Sequence, residues 1–153
     1  MRMSDFVVRE AIVPRLSQTT KEGIIREIVE SLRSTGYFQG DESETIVKAI
    51  LKREQLGSTG IGRSIAIPHG KSGAVDRLIG AVAVSPAGVN FDSIDGEPVH
   101  LFVLLVSPQD RPGDHLRALE SVVRTMKNDG YVKALREADS RDAIWKLLDE
   151  PPG

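Results

Sequence analysis

Three histidines are the side chains of this sequence best suited to chemistry near neutral pH, and their surroundings differ. His69 follows the apolar triplet Ile65-Ala66-Ile67 and Pro68, and precedes Gly70-Lys71. The proline fixes the chain direction just where the imidazole begins, which suits a side chain presented in one orientation. Shortly before it comes Gly57-Ser58-Thr59-Gly60-Ile61-Gly62. Small residues there allow close approach by another molecule, and loop N–H groups can face an anion. On these residues alone His69 reads either as a functional group or as an ordinary loop histidine.

His115 stands beside Asp114, after Arg111-Pro112-Gly113, at the predicted start of a helix. A helix N-terminus attracts anions, and a histidine there can donate a hydrogen bond to one. Spacing favours a plainer reading, with Asp114 as the cap and His115 as a solvated residue of the first turn. His100, at the start of the most apolar strand, reads as a structural or edge-strand histidine. The glycine segment reads G-x-x-G-x-G and leads into a strand, so it is not a dinucleotide fingerprint, and it lacks the Gly-Lys-Ser/Thr ending of a P-loop. It is a flexible connector or one wall of a site at His69. No His-x₃-His pair exists, and there are no cysteines, so disulfides, thiolate metal sites and thiol catalysis are excluded. Neither a metal nor a cofactor is expected.

These residues need elements to hold them. Thr19 and Glu22 have capping-box spacing, and Ile24, Ile25, Ile28, Val29 and Leu32 form one helical face before a stop at Gly36. Asp41 as cap, Glu44 in the first turn, and Ile46, Val47, Ile50 and Leu51 predict a second helix ending near Gln55, with Gly57 as its left-handed terminator. Strands are predicted at Ile65–Ile67 and Leu78–Val84, and an irregular hairpin around Asp95-Gly96 joins 89–91 to 97–106. Leu101 to Val106 is apolar at every position, the pattern of a strand covered by helices on both faces. Leu116, Leu119, Val122, Val123 and Met126 predict a third long helix stopped by Gly130. Two shorter helices follow, 131–137 and, after Ser140 as cap, 141–149. This order implies one α/β or α+β sandwich with a mixed sheet.

Composition agrees with a folded domain: 40% hydrophobic and 27% charged over 153 residues, with net charge −2. That balance leaves no electrostatic footprint for nucleic acid and no basic tail for a membrane surface. The longest apolar stretch, Val99 to Val106, is interrupted by His100 and is too short to cross a bilayer, and the first residues are charged rather than signal-like. A cytoplasmic location without membrane insertion is expected.

Glu54, followed after six residues by Ile61-Gly62-Arg63-Ser64-Ile65-Ala66-Ile67-Pro68-His69-Gly70, resembles the active-site signature of fructose/mannitol-type enzyme IIA domains. These belong to the bacterial sugar phosphotransferase system. The stretch Arg53 to Gly62 is similar to the nitrogen-regulatory branch of that family. Phe91-Asp92-Ser93-Ile94-Asp95-Gly96, the apolar strand ending at Pro108, and His115-Leu116 with Leu119 extend the match over nearly the whole chain. Arg63-Ser64 and Val99-His100 depart from the usual pattern.

The resemblance implies a single domain over 1–153, ordered over about 5–149, with a five-stranded mixed sheet sandwiched between helices. It implies a phosphotransferase component in which His69 accepts a phosphoryl group from HPr or its nitrogen-branch counterpart. A neutral imidazole is a nucleophile without a separate base, and its phosphoramidate transfers onward. Arg53 and His115 match family residues around the phosphoryl group, whose two charges call for cationic or N–H partners. Ser58 and Thr59 could add hydroxyl donors. Three roles compete: a nitrogen-branch regulator binding a kinase or transporter, a transport IIA feeding a IIB domain, and an unphosphorylated interaction module. A complete His69, Arg53 and His115 set disfavours the third; free-standing length and the Gly57–Gly62 wording favour the first.

Overall fold

The computed structural model describes residues 1–152. Its central strand is β5, Val99–Ser107, buried throughout except for half-buried His100. Successive side chains of a strand point to opposite faces. Leu101, Val103 and Leu105 therefore join one hydrophobic cluster, and Phe102, Leu104 and Val106 join another.

One edge of β5 pairs antiparallel with β4 (Ile79–Val89). The other edge pairs parallel with β2 (Ile65–Ala66) and β3 (His69–Lys71), in the registers Ile65↔Leu101 and His69↔Leu105. The same register holds on both sides of Pro68, so β2 and β3 are one path interrupted where proline has no N–H to give. Pro68 still contributes its carbonyl, which accepts from Leu105 N–H at 3.0 Å. The short strand β1 (Gly60–Gly62) closes antiparallel onto β2, giving a five-stranded mixed sheet. Helices α1 (Lys21–Arg33) and α2 (Ser43–Gln55) cover one face; α3 (Pro112–Thr125), α4 (Asp129–Glu137) and α5 (Arg141–Asp149) cover the other. The two-sided burial expected of Leu101–Val106 is thus observed. Among the described residues no helix is long and apolar enough to cross a membrane.

Several local expectations need correction. Thr20, not Thr19, caps α1, its hydroxyl accepting from Gly23 N–H at 3.0 Å. That cap leaves Glu22 out of register for a box, and it pairs with Arg26 instead. Asp41 lies in a 3₁₀ turn ahead of α2 rather than at its cap. β4 does not end before Pro86-Ala87-Gly88 but runs through them with a register shift between Val84 and Val89. A bulge of this kind tolerates proline inside a strand. The hairpin is therefore the long β4–β5 pair, connected by residues 90–98. Gly130 sits in the first turn of α4, capped by Asn128, while Ser140 caps α5 as expected.

The face of α3 is also rotated. Leu116 and Val123 are exposed, whereas His115, Ala118, Ser121 and Val122 are buried. Counting only large apolar residues misplaces a face built partly from small ones. The first twenty residues, left unassigned by periodicity, bridge β4 at Val7↔Gly80 and Val13↔Ala83.

Candidate active site

His69 opens β3 and is half-buried. Its Nδ1 lies 2.7 Å from the carbonyl oxygen of Ile67. A carbonyl only accepts, so Nδ1 carries the proton and the neutral ring keeps its lone pair on Nε2. Burial is the main influence lowering its pKa below the ordinary 6.5; the Ile67 bond opposes this, and the nearby Arg53 charge adds to it. Desolvation penalises the charged ring, so His69 is neutral at pH 7.

His115 comes to His69 edge-on, with ring centroids 5.2 Å apart. It is buried rather than solvated, which corrects the plainer sequence reading. Asp114 does not cap the helix either: it pairs with Arg117 and Arg111, and Pro112 occupies the first position. The hydroxyl of fully buried Ser107, at the end of β5, meets His115 Nδ1 at 2.5 Å. No other acceptor takes the Ser107 proton among the described residues, so it goes to Nδ1 and fixes the Nε2–H tautomer. Burial, then the charges of His69 and Lys71, push the His115 pKa down to about 4. Near neutral pH this ring offers one N–H and no positive charge. Ser107→Ala is accordingly expected to release the tautomer. In ¹⁵N spectra the two His115 ring nitrogens should move toward averaged values, and unchanged shifts would contradict the role of the hydroxyl.

Arg53 lies in the last turn of α2, and one guanidinium nitrogen donates to the Gly57 carbonyl at 2.8 Å. It forms no ion pair with a carboxylate among the described residues. Gly70 brings its helix close: a Cβ at that position would stand 3.2 Å from the backbone nitrogen of Ile50. A side chain there would push α2, and Arg53 with it, away from β3. Lys71 supplies a further cation that sequence reasoning missed. The signal was present, because residues i and i+2 of a strand share a face.

The glycine segment is a wall held by its own bonds. Ser58 donates its hydroxyl proton to the Phe91 carbonyl at 2.7 Å and accepts from Gly60 N–H at 3.0 Å. Thr59 is buried, and both its hydroxyl and its N–H donate to the Glu54 carboxylate. Glu54 also receives Lys21 Nζ at 3.0 Å, and Lys21 reaches on to Asp92. The N–H groups of Gly62 and Arg63 go to Ser93 and Asp95. The Thr59, Gly60 and Gly62 N–H groups, in the loop whose N–H groups could face an anion, are therefore engaged within the protein. The Ser58 and Thr59 hydroxyl protons are likewise spent on Phe91 and Glu54. The Glu54–Lys21 pair was invisible in the sequence, since its members come from different helices.

The site thus joins a neutral imidazole with a free Nε2 to an imidazole N–H, a guanidinium and a nearby ammonium. A family model described as phosphoenolpyruvate-dependent sugar phosphotransferase system, EIIA 2, matches residues 5–150. The chain belongs to the EIIA 2 family. A nitrogen regulatory protein of Bradyrhizobium diazoefficiens is 33% identical over 99% of this chain and 97% of its own length. A fructose-specific EIIABC component of Bacillus subtilis is 32% identical over 98% of this chain, which spans 23% of that larger protein. The crystal structure of nitrogen regulatory protein IIA-Ntr from Neisseria meningitidis superposes with a TM-score of 0.85. That match is 26% identical and covers 95% of this chain and 98% of the other. The mixed sheet between helical layers is accordingly an EIIA 2 fold.

Proposed function

We propose that this EIIA 2 protein is a phosphohistidine carrier that accepts a phosphoryl group on Nε2 of His69 and acts in the nitrogen-regulatory branch. The observation that carries the reading is the His69 geometry: Nδ1–H is tied to Ile67, so the ring's one lone pair is left at Nε2, beside Arg53, His115 and Lys71. The Nε2 lone pair attacks phosphorus on a donor phosphohistidine. The N–P bond to the donor breaks, and its electron pair returns to the donor nitrogen. Positive charge developing on the His69 ring is met by the Ile67 carbonyl. Charge on the transferring oxygens is met by the Arg53 guanidinium and the His115 N–H. The donor is HPr or its nitrogen-branch counterpart, and the cytoplasm is where such a donor is met.

The regulatory branch is favoured by the Arg53–Gly62 wording. The transport reading, with a IIB domain as acceptor, keeps support from the fructose-specific relative, whose identity is nearly the same. Phosphorylation places a compact double charge amid the Gly57–Gly62 and Pro68–Lys71 surface, so a partner seated there must bind the two states differently. The test supplies phosphoenolpyruvate, enzyme I and HPr of each branch, assays acid-labile phosphate, and then captures partners with both phosphorylation states. Faster loading from the nitrogen-branch donor and a kinase or transporter held by one state only are expected. Efficient transfer to a IIB domain, with no state-dependent partner, would overturn the regulatory assignment.

A further inference from the structure

Arg63-Ser64 and Val99-His100, more than thirty residues apart in the sequence, are brought together by the fold, where the Ser64 carbonyl accepts from His100 N–H at 2.9 Å. Arg63 and His100 line one cleft of about 430 Å³ between the β4–β5 hairpin and α4. His100 lies five residues along β5 from Leu105, the partner of His69, so the cleft is roughly 16 Å from that imidazole at about 3.3 Å per residue.

The cleft is built at a conformational cost. Arg63 (φ 58°) and Ser64 (φ 69°) form the two-residue turn between β1 and β2 with both residues left-handed, where Asn-Gly is the usual choice. Strain retained at consecutive residues points to function at that place. The turn aims the Arg63 guanidinium at the Lys127 carbonyl and the Asp129 carboxylate, tying the hairpin to α4 and neutralising Asp129. The Ser64 carbonyl accepts from the N–H groups of His100 and Leu101. His100 then donates Nδ1–H to the Ser85 carbonyl at 2.9 Å, so Nε2 keeps a lone pair with no partner among the described residues. Lys133 and Arg136, neighbours at i,i+3 on α4, also line the cleft, and neither has an ion-pair partner among the described residues. Glu137 is the one acidic residue there that Arg63 does not neutralise. Beneath them, Val84 and Val132 form an apolar floor.

We propose that this cleft binds a small organic anion that also carries a hydroxyl group. Lys133 and Arg136 take its carboxylate or phosphate, Val84 and Val132 bear its carbon skeleton, and His100 Nε2 accepts its hydroxyl proton. The proposal does not depend on phosphorylation of His69. Its test is a ¹H–¹⁵N titration of the full chain with citrate, tricarballylate (the same skeleton without the hydroxyl) and 3-phosphoglycerate, each against sodium chloride of equal ionic strength. Citrate or 3-phosphoglycerate should give saturable shifts at residues 63–64, 100 and 133–136. The Lys133→Glu/Arg136→Glu protein, altered only at exposed positions, should lose them while keeping its remaining spectrum. Tricarballylate should bind about tenfold more weakly than citrate, the worth of one hydrogen bond. Absence of saturable shifts with every probe, or shifts that survive in the double variant, would overturn the site. Equal affinity for citrate and tricarballylate would overturn the role given to His100.

Discussion

His69→Ala takes up no phosphoryl group from a phosphorylated donor, and its intact mass stays that of the unmodified chain. The other two imidazoles cannot stand in, for separate reasons. His115 has Nδ1 occupied by the Ser107 hydroxyl and carries its proton on Nε2, so the neutral ring presents no free lone pair. His100 has its Nδ1 engaged with the Ser85 carbonyl and lines a cleft far along β5 from the donor-facing surface. Folding should survive, because β3 pairs with β5 through its backbone and the His69 side chain is only half-buried. A phosphoryl mass gained by the variant on His100 or His115 would contradict the assignment.

Arg53→Ala and His115→Ala should still be phosphorylated, but more slowly. Each removes one partner of the phosphoryl oxygens, and a hydrogen bond to a charged group is worth ~1.5–3 kcal/mol. Expressed in the transition state, that is roughly a ten- to hundredfold loss of rate. Arg53→Lys should recover only part of it. A lysine keeps the charge but loses the planar fork, one arm of which already serves the Gly57 carbonyl. Rapid-mixing measurements of phosphoryl uptake would check both variants, and wild-type rates would remove these residues from the site.

Much of this architecture was legible because it is local. The unbroken apolar run Leu101–Val106 announced a strand buried on both faces, and the Ser140 cap and the periodicity of α1 and α2 placed helices within a few residues. Where the reading failed, distant contacts decided. β4 continues through Pro86-Ala87-Gly88 because β5 pairs with it again at Val89↔Val99. Helix α3 turns Leu116 outward because His115 finds Ser107, Ala118 joins the hydrophobic cluster on that face of the sheet, and Ser121 donates its hydroxyl proton to the Met1 carbonyl. The N-terminal residues gain their place only by bridging β4.

At the site, the spacing around His69 marked one end and Arg53 and His115 were named with it, but their environments were not readable. No pattern reveals that Ser58 and Thr59 spend their protons on Phe91 and Glu54, or that a lysine from α1 neutralises Glu54. Lys71 alone could have been found, by strand alternation from His69.

The hydrogen bond to Ile67 is expected to decide which nitrogen of His69 carries the phosphoryl group. The most direct measurement is ¹⁵N and ³¹P NMR of the ring-labelled protein after loading from a phosphorylated donor. A phosphorus–nitrogen coupling at Nε2 of His69, with Nδ1 still protonated and bonded to the Ile67 carbonyl, is the predicted result. Phosphoryl on Nδ1 of His69, or on any other side chain, would contradict it.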